Sequence, residues 1–444
     1  MTYNIVASRI FRITCTYRNS KYMSQYQVRT ACFSNGERFP ILISGATGVP
    51  LFEPTIYAAS ELRGKNSASN TMAQAMRSVM LLYIVLERRG IDLNQRMAGG
   101  RFLDATDIED IVSVCKTTMP SILESEDQIS SRPRKVLSLE KARMALSRTK
   151  QGTDVEPATT AIRLNYIRDY LRWLANSRLL RLTSSKDRSN LMDMARIVDE
   201  SIKNKTPRKS GRNQMNQRVG LSRAAQECLT DIMSGNSTEN PWIGDHAKAR
   251  NVLIIRLLLH TGIRRGELLG LRIEDINAQQ NEILVCRRPD DVTDPRLNEP
   301  NTKTRDRLIP INSELAHEIR GYVAMRREFK GARRHGFLLV ANGTGKPLSV
   351  SAFNRIFQAL QPVSPLLQYL TPHVLRHTFN DNLSDALDNA NVSPEQEIQI
   401  RNRLNGWSER SQMAAVYTKR HTQKKAADAI LAMQRQLTVK VANE

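Results

Sequence analysis

In residues 9–18, RIFRITCTYR, Phe11, Ile13, Cys15 and Tyr17 alternate with Arg12, Thr14, Thr16 and Arg18. A period of two sends successive side chains to opposite faces, so this stretch predicts a half-buried strand. QYQVRTACF and RFPILIS follow, separated by the turn signal Ser34-Asn35-Gly36. Together the three predict a small antiparallel sheet over residues 1–45.

The period changes near Pro54. Met72, Ala75, Met76, Val79, Tyr83 and Leu86 recur at three and four residues behind Ser69-Asn70-Thr71, and Gly90 closes the run, as in an amphipathic helix. Further helices are predicted from Asp104 or Thr106 (burying Ile108, Ile111, Val112 and Cys115), over LSLEKARMALSR, and over AIRLNYIRDYLRWL. The last buries Leu164, Ile167, Leu171 and Leu174 and leaves Arg163 and Arg172 on other faces. These elements outline a helical domain over residues 46–200. Residues 201–226 contain no acidic side chain before Glu227 and are broken by Pro207 and Gly211, and residues 201–220 read as a basic interdomain linker. Beyond it, ARNVLIIRLLLHTGIRRGELLGLR predicts a buried helix, a turn at Thr261-Gly262 and a second helix. NEILVCR, RDRLIPI and GFLLVAN predict three short strands, and helices resume at Ser349. This third domain spans residues 221–422. Residues 423–444 form a tail in which Ala426, Ile430, Met433 and Leu437 make one apolar stripe. The fold class is mainly α with small antiparallel β elements.

Charge adds the first functional constraint. Lys and Arg number 66 against 44 Asp and Glu, a formal net charge of +22. Such an excess points to a polyanionic partner, nucleic acid before a membrane surface, because there is neither a long apolar run nor a signal-peptide pattern at Met1. Lys203, Lys205, Arg208, Lys209 and Arg212 in the linker, with Arg163 and Arg172, are the candidate DNA-binding residues. The N-terminal sheet either adds to that surface or only packs on the next domain. The five cysteines are scattered, odd in number and without a C-x-x-C pair, which suggests reduced thiols and no metal site.

The chemistry-bearing residues lie in the third domain. In TGIRRGELLGLR, Arg264 follows the Thr-Gly turn, with Glu267 three residues on. Lys303 precedes a predicted strand in NTKTRDRLIPI, where Arg305 and Arg307 also lie. In TPHVLRHTF, Pro372 suits a helix start and brings His373, Arg376 and His377 into one turn. Gly406-Trp407 precedes Tyr417-Thr418 in a basic context. In this order, the set resembles the tyrosine recombinase, or phage integrase, family. Thr261-Gly262-x-Arg264-x-x-Glu267-Leu268 is similar to the first arginine box and Lys303 to the hairpin lysine. His373-x-Leu375-Arg376-His377-Thr378-Phe379 is similar to the second box, Gly406-Trp407 to the Gly-His/Trp position, and Tyr417 to the nucleophile. Two departures stand out: the Trp407–Tyr417 gap is one residue longer than the usual spacing, and DALDNANVSPEQEIQIRNR reads as an insertion between Arg376 and Tyr417.

The resemblance implies a helical core-binding domain and an α/β catalytic domain forming a C-shaped clamp on DNA. It implies site-specific recombination, metal- and ATP-independent and without a cofactor, that integrates or excises a mobile element. Tyr417 attacks the phosphate to give a 3′-phosphotyrosine. Arg264 and Arg376 clamp the non-bridging oxygens, since the guanidinium fork stays protonated and matches phosphate bidentately. His373 accepts the tyrosine proton or holds a phosphate oxygen, Trp407 donates its indole N–H, Lys303 protonates the leaving 5′-oxygen, and Glu267 and His377 orient the clamp. The implied partners are double-stranded attachment-site DNA, three further copies in a tetramer passing through a Holliday junction, and an accessory directionality factor, in a bacterial cytoplasm and at no membrane. A type IB topoisomerase-like nicking-closing enzyme and a non-catalytic DNA-binding regulator on the same scaffold are the alternative functions.

Overall fold

A computed structural model of the chain describes residues 25–122, 154–208, 220–235, 237–297, 299–300, 304–390, 392–418, 426 and 429–435. It divides into two compact units, Met1–Asn213 and Gln214–Glu444. The expected strand over residues 9–18, the expected helix over residues 137–148, Lys209, Arg212, Lys303 and Leu437 lie outside the described residues.

In the first unit, β1 (Tyr26–Cys32) and β2 (Arg38–Ser44) form an antiparallel hairpin with Tyr26 opposite Ser44 and Cys32 opposite Arg38. The turn between them needs a left-handed residue, and Gly36 supplies it at φ 87°. Phe39 and Leu42 point into the same core as the helices, so the sheet packs on the helical domain. After α1 (Phe52–Tyr57) and a π-helical turn, α2 (Ser69–Arg88) buries Met72, Met76, Val79 and Leu86, the positions its period selected. Behind α3 (Leu93–Ala98), α4 (Ala105–Lys116) starts at Asp104, whose side chain accepts from the Asp107 amide at 2.8 Å while the Asp107 carboxylate accepts from the Asp104 amide at 2.9 Å. α5 (Pro157–Leu179) buries Leu164, Ile167, Leu171 and Leu174 as expected.

Two expectations for this unit change. α6 (Ser185–Lys205) continues through Ser201, so the linker begins beyond Lys205: Ile202 is an apolar anchor of this helix, and Thr206 ends it in extended conformation. Arg163 is half-buried and donates to the carbonyls of Cys115 and Thr117 at 3.0 and 2.7 Å. It satisfies orphan acceptors at the end of α4, so part of its donor capacity is used within the chain.

In the second unit, α7 (Arg223–Ile232) precedes the central helix α8 (Asp245–Thr261), which buries Leu253, Ile254, Leu257 and Leu258. Gly262 ends α8 at φ 60°, and a Cβ placed there would meet the Phe379 ring at 2.2 Å, so the turn tolerates only glycine. α9 (Arg265–Gly270) starts at once. The sheet has strand order β3-β4-β5, from Ile276–Asn277, Glu282–Val285 and Arg307–Pro310, all antiparallel. NEILVCR and RDRLIPI thus contain strands, whereas GFLLVAN does not. Phe337, Leu338, Leu339 and Val340 are buried, but only isolated bridges at Phe337 and Val340 join them to other segments. An apolar run of that length reports burial, and the ladder needs partners that the run does not specify. α10 (Ser313–Arg326), α11 (Val350–Leu360, capped by Ser349), α12 (Pro372–Asn389) and α13 (Pro394–Asn405) complete the unit. Thr371 caps α12 by accepting from the Val374 amide at 3.2 Å, with Pro372 at the first helical position. The segment read as an insertion supplies the end of α12 and most of α13.

Candidate active site

The Thr-Gly turn fixes where the first arginine stands. Arg264 leaves it in extended conformation, and its amide donates to Glu267 Oε2 at 2.8 Å, closing the first turn of α9. Its guanidinium reaches both Glu267 Oε1 and the Asn405 carbonyl at 3.4 Å. Glu267 is buried, and three elements converge on it. Arg307, at the start of β5, donates to Oε2 at 2.8 Å, and the Thr304 hydroxyl donates to Oε1. Burial alone would raise the Glu267 pKa; the Arg307 hydrogen bond and charge outweigh it, and the carboxyl titrates below its ordinary range. Arg307 also donates to the Leu404 carbonyl at 2.7 Å, at the end of α13. It is therefore a buried strut and unsuited to stand in for Lys303, while Arg305 is exposed, its amide bonded to the Gly406 carbonyl at 3.1 Å.

α12 brings the second arginine to the same place. Arg376 is buried, donates one Nη1 hydrogen bond to the Gly262 carbonyl and lies 5.5 Å from the Trp407 ring centroid. Burial first, and then the nearby Arg264 charge, push its pKa down to about 9. Arg376 Nη2 and Trp407 Nε1 are both buried and make no hydrogen bond among the described residues. Two cations held side by side, with donors left over, suit an anion of tetrahedral shape.

Gly406, left-handed at φ 65°, turns the chain out of α13 and delivers Trp407. Tyr417 stacks on it, ring centroids 5.7 Å apart and planes at 14°. The Tyr417 side chain is buried, and its hydroxyl lies 3.0 Å from His377 Nδ1. His377, expected to orient the clamp, thus lies within hydrogen-bond distance of the hydroxyl. His373 sits one helical turn earlier, its ring in edge contact with His377 at 4.4 Å. Both positions share a face, but the second reaches the tyrosine. Arg264, Glu267, Arg376, His377, Trp407 and Tyr417 thus form one connected constellation. Tyr322 is buried, with its hydroxyl on the Val340 amide at 3.2 Å, and Tyr369 is exposed; neither belongs to this constellation. Among the described residues no His, Cys, Asp and Glu cluster could hold a metal ion, and no helix is long and apolar enough to cross a membrane.

Residues 225–424 match the phage integrase family model. The C-terminal unit is a phage integrase family domain. Relatives of the chain include the TnP I resolvase of Bacillus thuringiensis, 28% identical over 133 residues, 30% of this chain and 40% of that protein. The tyrosine recombinase XerC of Proteus mirabilis is 22% identical over 251 residues, 56% of this chain and 67% of that protein. The chain spans about half the length of the curated relatives it matches. Among solved structures, the Tn1549 transposon integrase in complex with transposon right end DNA aligns with a TM-score of 0.36 at 18% identity, covering 68% of this chain and 97% of that one.

The other expected DNA-binding residues belong to the N-terminal unit. Lys203 and Arg208 are exposed, as that role requires. Lys205 pairs with Glu109, and Arg172 pairs with Asp199 at 2.6 Å, so their charge is partly answered within the chain. In the integrase domain, Thr304, Asn380, Arg401 and Asn405 are buried polar residues that the sequence pattern did not single out. The only trace of Arg401 in the sequence is Glu397 four residues before it, a pair common on solvated helix faces.

Proposed function

We propose that this protein is a site-specific recombinase that cuts and rejoins duplex DNA through Tyr417, integrating or excising a mobile element. One observation carries the reading: the Tyr417 hydroxyl, 3.0 Å from a histidine nitrogen, shares its site with a buried arginine and an indole N–H that have donors to spare. A phenol with its ordinary pKa near 10 is a weak nucleophile and needs a base to take its proton as it attacks. His377 Nδ1 is placed for that transfer, and His373 is left to hold a phosphate oxygen. Arg264 and Arg376 neutralise the charge that gathers on the non-bridging oxygens, and Trp407 donates to the same group. Lys303 protonates the departing 5′-oxygen. The phosphodiester energy is kept in the 3′-phosphotyrosine, so a 5′-hydroxyl can reseal the strand without ATP.

Four copies on two attachment sites exchange strands in pairs through a Holliday junction, in the bacterial cytoplasm, with an accessory factor setting direction. The net charge of +22 supports the DNA partner. Covalent capture of nicked duplexes from a random-sequence library tests the reaction. The expected product is a protein–DNA adduct whose phosphopeptide contains Tyr417; an adduct at another tyrosine, or none, overturns it. With the captured site in hand, relaxation of one-site plasmids without exchange between two sites would instead indicate a nicking-closing enzyme.

A further inference from the structure

Arg401 lies where no solvent reaches it, at 0% exposure, and all its donor nitrogens are engaged. Nε and Nη2 donate to Glu397 Oε1 at 2.9 and 2.7 Å, and Nη1 donates to the Asn380 carbonyl and Oδ1 at 3.0 and 3.1 Å. Nη2 also donates to the Ser384 hydroxyl. Asn380 and Ser384 belong to α12, one and two turns beyond Arg376 and His377, so Arg401 ties α13 to the helix that carries them. The network runs on through Asn405, whose Nδ2 donates to Asn380 Oδ1 at 3.1 Å and whose carbonyl accepts from Arg264. The guanidinium carbon also sits 5.8 Å from the centroid of the Tyr417 ring.

Resting on the reaction proposed above, we infer that the buried Arg401–Glu397 pair is a positioning device for the nucleophile, holding the Tyr417 ring in register with His377 and setting how readily its hydroxyl ionises. Two physical points support it. A buried ion pair contributes little net stability compared with apolar residues of the same size, so stability alone gives weak grounds for one here. A cation against the face of a phenol favours the phenolate, and a carboxylate beside that cation moderates the effect. Among the described residues, the other charged or titratable groups near the phenol include His373, His377 and Arg376 of α12, with Arg264 beside Arg376. All of them are present in every variant of the pair.

The two partners therefore have opposite signatures. Arg401→Met removes the cation and should raise the pH midpoint of cleavage, whereas Glu397→Gln leaves the cation unopposed and should lower it, each by about half a unit to one unit. Duplexes captured covalently by the full-length wild-type chain serve as substrate, and adduct formation is followed in single turnover from acid to alkaline pH, beside DNA affinity and melting temperature. We expect about tenfold slower cleavage by Arg401→Met at neutral pH, with DNA affinity within about threefold of wild type, since this pair touches the nucleophile and not the duplex. The double variant Arg401→Met/Glu397→Leu leaves no unpaired charge; it should fold even where the single variant does not, and should show the raised midpoint. Coincident midpoints in all variants, with rates that only follow melting temperature, would reduce the pair to a structural staple. Failure of the wild-type chain to capture any duplex would overturn the reaction itself, a result distinct from unshifted midpoints in a chain that cuts.

Discussion

Tyr417, Arg376 and Glu267 each make a prediction at the scale of one side chain. Tyr417→Phe keeps the ring stacked on Trp407 and removes the hydroxyl that meets His377, so DNA binding should persist while cleavage disappears; a gel shift and an adduct assay on the same duplex check both. For the histidines, His377→Ala should slow adduct formation more than His373→Ala, the reverse of what the family resemblance implied. Arg376→Lys keeps a charge but loses the fork, and loss of one such donor commonly costs about 10²–10³ in rate. Arg376 also titrates in the fold at about 9, below its ordinary value. A base whose pKa is depressed on folding destabilises the fold while it stays protonated below that pKa, and the penalty fades as pH rises through it. Any anion between the arginines relieves the same penalty at neutral pH. Inorganic phosphate should therefore raise the melting temperature of the wild-type chain, and raise it much less in Arg376→Met; equal shifts would place the anion elsewhere. Glu267 works in the other direction. Its depressed pKa means that its stabilisation is present above the unfolded carboxyl pKa and lost as pH falls through the folded one. Glu267→Gln should be less stable than wild type at neutral pH, with the gap closing in acid.

Among the elements, local punctuation was legible and long-range partnership was not. Asp104, Gly90, the Thr261-Gly262 turn and Pro372 marked helix ends because caps, left-handed turns and proline act within a few residues. The motif residues of the active site were legible for the same reason, since Arg376 and His377 share one helical turn. What the chain could not reveal locally depends on residues far away in sequence. GFLLVAN has the apolar content of a strand but lacks a ladder, Arg163 has the charge of a DNA-binding residue but caps a neighbouring helix, and the contact between His377 and the Tyr417 hydroxyl joins residues 40 positions apart. Arg401 was hidden for the related reason that an i, i+4 ion pair looks the same whether solvated or buried. The Thr-Gly turn gives the element-scale prediction. Gly262→Ala combines a positive φ with a clash against Phe379, so it should destabilise the chain by more than about 1 kcal/mol. Urea titration measures it, and cleavage should fall as well, because Arg264 and the carbonyl that holds Arg376 both follow from this turn.

For the whole molecule, the questions concern charge and assembly. Neutralising the exposed Lys203 and Arg208 should weaken binding to all duplexes alike and flatten the slope of log K against log salt by about 0.9 for each phosphate left without its cation. The tail makes a separate prediction. Ile430, Leu431 and Met433 are helical and 50–55% exposed, and a short helix with bare apolar side chains is marginal unless a groove covers it. Ending the chain after Thr422 should leave single-site binding nearly unchanged and reduce complexes that join two sites. Native gels with one-site and two-site DNA decide it, and undiminished joining in the truncated chain would assign the tail to its own domain.

Glu267 gathers the amide and side chain of Arg264, the hydroxyl of Thr304 and the guanidinium of Arg307, which lead respectively to the Thr-Gly turn, the segment before β5 and the end of α13. In the language of logic, this carboxylate resembles an AND gate: its full hydrogen-bond set requires several separate segments to be in place at once. A strongly basic protein samples vast numbers of chromosomal phosphates in passing, each one chemically identical to its true target. On the reaction proposed above, coupling of that kind would let a loosely seated copy release the strand whole, a safeguard for the host genome.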